Sequence, residues 1–238
     1  MDCWARDVSP CKGAQSGEHY VSKSLLPTNP VKIRGLPFCR DEIREIPISS
    51  LKANILCEGH NSELSTLDSE MKRFRDAIFA TEVRANVGSA AAKPVHVSGA
   101  SLLRWTAKTY CNFVSIERAL LEPEFACVAF GASTESFHFY TWRPLRYDAP
   151  RYRLAGEQLD EHFHFDYSRS QARVMVFVKF FGLRLLLANF NARNLPVLAN
   201  EWRTIDTRDL IERPTRFEFL RGKQDGDVAP SHEVYIDW

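Results

Sequence analysis

One segment of the chain repeats its hydrophobic residues at steps of three and four. Leu64, Leu67, Met71, Phe74 and Ile78 follow this spacing, and charged residues fill most positions between them. Side chains at these steps share one face of an α-helix. The pattern therefore predicts an amphipathic helix that begins near Asn61.

The chain before this helix has no helical period. Prolines and glycines divide the stretch after His19 into short turns and extended pieces. Ile46, Ile48 and Leu51 indicate a strand that leads to Ile55–Leu56. The predicted order of the first third is extended, extended, helix.

A second helix is predicted after a loop at Val87–Pro94. Ser98 or Ser101 is a suitable N-cap, Leu102 to Leu121 supply the apolar face, and Pro123 is expected to end the helix.

Short apolar runs dominate the rest of the chain and predict an antiparallel sheet packed on that helix. The expected strands are Phe125–Phe130, Phe137–Trp142, Glu161–Tyr167, Val174–Phe181, Leu183–Phe190 and, at the end, Val234–Ile236. The fold class is therefore α+β, with an N-terminal module at residues 1–85 and an α+β domain for substrate or partner at 95–238.

Composition narrows the choice of partners. The 238 residues are 45% hydrophobic, which supports a real core. Lys and Arg number 31 against 30 Asp and Glu, so binding to nucleic acid would need local basic patches. No apolar run is long enough to span a membrane, and the N-terminus has no signal-peptide pattern. We expect a cytoplasmic protein.

Six cysteines are few for a disulfide scaffold of this length, and four of them precede residue 60. In a reducing compartment this distribution favours a metal site. Cys111 and Cys127 lie in apolar surroundings and are expected to be small core residues.

The metal ligands are expected in two pairs. Cys57 and His60 are three residues apart at the start of the predicted helix, and Cys3 and Cys11 supply the second pair across a longer loop. Three thiolates and an imidazole suit tetrahedral zinc. Cys39 is a possible substitute for either N-terminal cysteine.

These residues, with Glu18–His19 and the run Ile55–Leu–Cys–x–x–His–Asn61, resemble the HNH endonucleases, which are His-Me finger or ββα-metal nucleases. The likeness covers about the first third of the chain. It implies that Cys3, Cys11, Cys57 and His60 bind a structural zinc ion.

The resemblance also implies a catalytic site for phosphodiester hydrolysis. His19 would be the general base, and Glu18 and Asn61 would hold Mg²⁺ or a similar divalent ion. The implied substrate is nucleic acid, and we expect DNA. The family's middle Asn falls at Lys52 in this chain, and Asn54 is close but out of register.

Two other interpretations stay open. In the first, the N-terminal module is non-catalytic and zinc-stabilised, and it binds nucleic acid or protein. In the second, the active centre lies at His162, His164 and Asp166, which alternate along one predicted strand. A protein partner or a second copy of the chain is compatible with each interpretation. A possible phosphate-binding surface combines arginines with aromatic residues: Arg169, Arg173, Arg184, Arg193, Arg203, Tyr167, Phe190 and Trp202.

Overall fold

The structure is a computed structural model. It describes residues 3–26, 28–87, 93–132, 134–142, 163–170, 173–180, 183–192, 197–200, 203–206, 210–219 and 232–238. The helices are α1 (Glu58–Val87), α2 (Gly99–Ile116) and α3 (Pro123–Ala129). The strands before α3 are β1 (Gln15–His19), β2 (Val31–Arg34), β3 (Arg44–Ile46), β4 (Lys52–Cys57) and β5 (Val95–Ser98). Those after it are β6 (His138–Trp142), β7 (Phe163–Ser170), β8 (Arg173–Phe180), β9 (Leu183–Ala188), β10 (Val197–Asn200), β11 (Arg203–Asp206), β12 (Leu210–Glu212), β13 (Arg216–Phe219) and β14 (His232–Asp237).

Helix α1 is the amphipathic helix that the hydrophobic spacing predicts. Leu64, Leu67, Met71 and Phe74 are buried on one face, and α1 packs against α2. The helix starts immediately after β4, so its first turn is held next to the end of that strand.

Helix α2 lies at the centre of the molecule and is buried on nearly every side. Ser98 caps its N-terminus by accepting a hydrogen bond from the Ser101 amide at 3.1 Å, as the sequence predicts. On one side Phe113 stacks on Phe165 of β7, with ring centroids 3.8 Å apart. The helix ends at Ile116, earlier than the expected stop at Pro123.

The predicted strand Phe125–Phe130 is wrong, because residues 123–129 form the short helix α3. Pro123 begins this helix, a position that suits proline because the first turn needs no amide donor. A short apolar run does not distinguish a buried strand from a buried helix, and here the proline is the better guide.

The main sheet has seven strands in the order β12-β6-β9-β8-β7-β2-β3. Every neighbouring pair is antiparallel except β2 and β7, which are parallel. The predicted strands at 137–142, 174–181 and 183–190 correspond to β6, β8 and β9. The one predicted at 161–167 corresponds to β7, with residues 161 and 162 outside the described range. The α+β class is thus confirmed.

Smaller sheets surround this core. Strands β1 and β4 form an antiparallel pair, β10 pairs with β11, and β13-β14-β5 form a three-stranded sheet that includes the predicted C-terminal strand. The pair β1/β4 followed by α1 matches the predicted order of extended, extended, helix, with β2 and β3 inserted between the two strands.

The predicted boundary between residues 1–85 and 95–238 stays a prediction. Strands β2 and β3, which precede it, belong to the main sheet, and one hydrophobic core extends from Cys3 to Ile236. Among the described residues, none of the helices has the length and apolar character needed to cross a bilayer.

Candidate metal centre and adjoining polar site

Three chain segments meet where β4 becomes α1. Cys57 is the last residue of β4, and His60 lies in the first turn of α1. The N-terminal segment is fixed to β4 by a hydrogen bond from the Trp4 amide to the Ile55 carbonyl at 3.1 Å. This arrangement brings Cys3 and Cys11 to the same place.

The four predicted soft ligands converge. One ligand atom from each of Cys3, Cys11, Cys57 and His60 lies within 4.8 Å of all the others. His60 Nδ1 is 3.2 Å from Cys3 Sγ, 3.3 Å from Cys57 Sγ and 4.0 Å from Cys11 Sγ. Zinc–sulfur and zinc–nitrogen bonds in a tetrahedron place ligand atoms about 3.5–3.8 Å apart. The cluster is therefore able to hold a metal ion such as zinc.

Groups around the cluster also suit a metal. The Cys57 amide is 3.4 Å from Cys3 Sγ, and the His60 amide is 3.5 Å from Cys57 Sγ, so backbone donors face the sulfur atoms. The Ser9 hydroxyl lies 2.8 Å from His60 Nε2. With Nδ1 on a metal, Nε2 carries the proton and donates to Ser9, which fixes the orientation of the ring.

Two glycines allow the segment after Cys11 to cross the start of α1. Gly13 has a φ of +75°, a conformation that glycine adopts without strain. The Gly59 amide donates to the Lys12 carbonyl at 3.0 Å, and a Cβ on Gly59 would lie 2.9 Å from Lys12 Cβ. The close approach of these segments holds Cys11 near the helix.

The thiols affect one another's ionisation. Loss of solvation, together with the neighbouring Cys3 and Cys57 thiols, raises the pKa of Cys11 to about 11. Desolvation also opposes ionisation of Cys57, but the His60 and Lys12 amides and the other thiols outweigh it and lower its pKa. A bound cation would favour the thiolate at every sulfur. Cys39 is not part of the cluster, because its thiol is buried 3.7 Å from the Ile33 carbonyl.

Glu18, the predicted ligand of the catalytic metal, is buried on β1 and forms an ion pair. Its Oε1 lies 2.7 Å from Lys108 Nζ, and Asp68 Oδ2 lies 2.8 Å from the same nitrogen. The Lys108 side chain is 2% exposed. A lysine from α2 thus lies between carboxylates from β1 and α1.

This ionic cluster, Glu18–Lys108–Asp68, belongs to a larger hydrogen-bond network. Ser22 donates to Asp68 and accepts from the Trp105 indole at 2.9 Å. Burial raises the pKa of Glu18 despite the opposing effect of Lys108. The network therefore holds a costly buried charge with compensating partners.

His19 lies on the face of the β1/β4 pair opposite to that of Glu18. Glu18 is opposite Ala53, whereas His19 is opposite Lys52 and Ser16 is opposite Leu56, with a register shift between Ser16 and Glu18. Between these pairs β4 has two residues, Asn54 and Ile55, against the single Gly17 of β1, so the alternation of faces is interrupted in β4 and kept along β1. Ser16 and Glu18 therefore share one face of β1, and His19 lies on the other. The Asn61 side-chain amide donates to Ser16 Oγ at 2.8 Å, so Asn61 contacts β1 at the residue two positions before Glu18.

The described arrangement does not fit a divalent ion held by Glu18 and Asn61. The carboxylate is occupied by Lys108, and the Asn61 amide donates to Ser16.

His19 has a basic environment. Partial burial lowers its pKa, and the charges of Lys52 and Lys23 lower it further. In the described part of the chain, neither lysine forms an ion pair. Lys52 stands where the family pattern has its middle Asn, and Asn54 is exposed on the same strand.

The rival centre is only partly described. His164 is buried, with Nδ1 3.2 Å from Arg34 Nη2, and Asp166 is half-buried on the same strand; His162 lies outside the described residues. In the described ranges, Cys3, Cys11, Cys57 and His60 are the one group of three or more potential ligands that lie close together.

The predicted arginine surface is divided between different roles. Arg169 is bound to Glu122, with Nε 2.8 Å from Oε1, and Arg173 lies over the Phe190 ring at 5.3 Å. Arg184 is half-buried on β9 and Tyr167 donates to Glu117. Trp202, Arg193 and the side chain of Arg203 lie outside the described residues.

Sequence reasoning missed Lys108 and Asp68. A signal was present, because Lys108 is the one charged residue between Trp105 and Val114, a stretch that is otherwise apolar or neutral. A lone charge in a buried helix requires an acidic partner.

The fold and the site together describe an α+β protein with a Cys₃His candidate metal centre and a buried ionic cluster. Comparisons of the chain with protein-family models, curated proteins and solved structures found no match.

Proposed function

We propose that the protein is a zinc-stabilised nuclease that hydrolyses phosphodiester bonds of nucleic acid, with His19 as the general base. The observation that carries the proposal is the position of His19 at the end of β1, half-buried and directly opposite Lys52. The convergent Cys/His cluster supports the same strand pair from its other end.

The basic setting of His19 suits this role. Because burial and the adjacent Lys52 and Lys23 lower its pKa, the imidazole is neutral at neutral pH and is able to accept a proton from water. The two lysines offer a phosphate group cationic contacts on the same side. DNA is the expected polymer, and RNA is compared in the test below.

The test is cleavage of supercoiled plasmid, single-stranded DNA and RNA, each with Mg²⁺ and with chelator. We expect His19→Ala to reduce cleavage at least about 100-fold, the scale of general-base catalysis. His96→Ala is the matched control, because His96 is an exposed histidine on β5. Equal cleavage by wild type and His19→Ala would contradict the proposal.

A second candidate is a non-catalytic module that binds nucleic acid or protein. It is favoured by one observation, the Lys108–Glu18 ion pair, which occupies the carboxylate that the nuclease pattern assigns to a metal. Binding of nucleic acid by the zinc-loaded protein, with no cleavage under any of these conditions, would select this candidate.

A further inference from the structure

A groove of about 880 Å³ lies beside the metal centre, and Cys3 is one of its lining residues. Its walls are the N-terminal segment around Trp4, the middle of β4 at Ala53–Ile55, and the connector between α2 and α3. The volume is within the usual range for ligand sites.

Charges on the α2–α3 connector are divided between two sides. Glu117 is paired with Arg40 at 2.7 Å, and Glu122 with Arg169 at 2.8 Å, so both acids face the main sheet. Arg118 instead lines the groove, as does Arg6 from the N-terminal segment. In the described part of the chain, Arg118 makes no ion pair, and Asp7, 3.9 Å from Arg6, is the one acid among the lining residues.

Arg118 occupies a backbone position that favours glycine. Its φ is 55°, and the bonds from the Arg118 amide to Ser115 and from the Ala119 amide to Val114 form the turn that ends α2. Glycine is the usual residue at this C-terminal position, because a side chain is strained there. Arginine in its place keeps a cationic group at the groove despite that strain.

Apolar side chains accompany the cations. Leu120 is 81% exposed, and Ile116, Leu121 and Trp4 contribute further apolar surface to the groove. Cations beside an exposed apolar surface suit a ligand with phosphates and flat bases, which is the chemistry of single-stranded nucleic acid.

We propose that this groove binds a single-stranded segment of nucleic acid, with phosphates at Arg6 and Arg118 and bases against Leu120. The choice of nucleic acid rests on the proposed function. The groove reaches β4, the partner strand of β1, because Ala53 lines it and the preceding residue, Lys52, stands opposite His19.

The test is fluorescence anisotropy with a labelled twelve-nucleotide dT oligonucleotide, without divalent ions, in the His19→Ala background. We expect Arg118→Gly to weaken binding about 5- to 20-fold and to reduce the salt slope by about one phosphate contact. Its melting temperature should be unchanged or higher, because glycine relieves the backbone.

The chain offers a matched control in Arg213, which is exposed and also has a positive φ, 41°. Arg213→Gly also removes one positive charge from a positive-φ position, but outside the groove. Its affinity for the oligonucleotide should stay within roughly 2-fold of the parent's, because it removes no phosphate contact. An equal loss in both variants, or none in Arg118→Gly, overturns the proposal. So does the absence of binding by the His19→Ala parent.

Leu120→Ser tests the contact with bases. We expect it to weaken binding of the dT oligonucleotide but not of an abasic strand of the same length, and equal effects on both would overturn the base contact. The experiments distinguish failure of the groove proposal from failure of the nuclease proposal. Cleavage that is insensitive to Arg118→Gly rejects the groove alone, whereas Arg118-dependent binding without cleavage rejects the nuclease alone.

Discussion

The Cys/His cluster and the Glu18–Lys108–Asp68 cluster both bring groups that carry negative charge close together, but the compensating cation has a different source in each. Cys3, Cys11, Cys57 and His60 gather ligand atoms that become anionic or neutral on metal binding, and they have no cationic side chain among them. Glu18 and Asp68 also bring anionic groups together, but Lys108 supplies the cation. The first cluster therefore needs an ion from solution, whereas the second is complete in the polypeptide.

The difference shows that convergence of ligand types is not enough to infer a metal. A carboxylate pair that shares a buried ammonium group already has a cation between its members, and a divalent ion would have to displace Lys108. At Cys11, where desolvation and the neighbouring thiols raise the pKa, the thiol stays protonated until a metal binds.

The largest expected effect is loss of the metal. Structural zinc in small modules contributes about 10–16 kcal/mol of binding free energy, so we expect chelation or Cys57→Ser to unfold the β1/β4/α1 region. Metal analysis should find one zinc per wild-type chain and none in Cys57→Ser. Cys127→Ser, a change at a half-buried thiol outside the cluster, should keep the zinc. If the wild-type protein folds equally well without any metal, the Cys/His cluster does not need an ion from solution and the comparison with the ionic cluster fails.

The second largest expected effect is the loss of stability when Lys108, the buried cation of the ionic cluster, is replaced. Lys108→Met leaves two carboxylates without their partner, and breaking a buried ion pair from one side costs about 3–5 kcal/mol. Urea unfolding measures this loss. Lys72→Met is the control, because Lys72 pairs with Asp76 on the exposed side of α1 and should contribute less than about 1 kcal/mol.

The double variant Glu18→Leu/Lys108→Met sharpens the same comparison. It removes both buried charges and should recover part of the stability that Lys108→Met loses. If the single change costs no more than Lys72→Met, the ionic cluster is not a significant part of the folded state.

The smallest effect is the titration of His19. Burial and the neighbouring Lys52 and Lys23 place its folded-state pKa below the ordinary 6.5. A lowered histidine pKa means that the unfolded state binds more protons, so stability is full above about 6.5 and falls as the pH drops through the folded pKa. Unfolding measured from pH 7 to pH 5 should show a weaker slope in His19→Gln.

The same titration reports on the ionic cluster. NMR should show that Mg²⁺ leaves the pKa of His19 unchanged in wild type, because Lys108 already occupies Glu18. A clear downward shift with Mg²⁺ would place a divalent ion beside His19 and contradict the comparison.

Local pattern predicted the helix at Leu64–Ile78, the Ser98 cap and several strands of the main sheet, because these depend on spacing within a short segment. It also brought together the right four soft ligands, since zinc chemistry restricts residue types strongly. It failed at 125–130, where a proline-led apolar run is a helix.

The hydrogen-bond and ion-pair partners of Glu18 and Asn61 could not be predicted from the local sequence pattern. Lys108 reaches Glu18 from 90 residues away in sequence, through the packing of α2 on the strand pair. The bulge in β4, where Asn54 and Ile55 lie against Gly17, has no clear sequence marker besides that glycine.

The spacing of the four soft ligands has a consequence for how the chain assembles. Cys57 and His60 are three residues apart, whereas Cys3 and His60 are 57 apart. A local chelate forms at little entropic cost, and capturing the distant pair then closes a long loop. We expect an ion to load first at the helix start and to lock the N-terminal segment only afterwards, acting as a reversible cross-link between remote parts of the polypeptide.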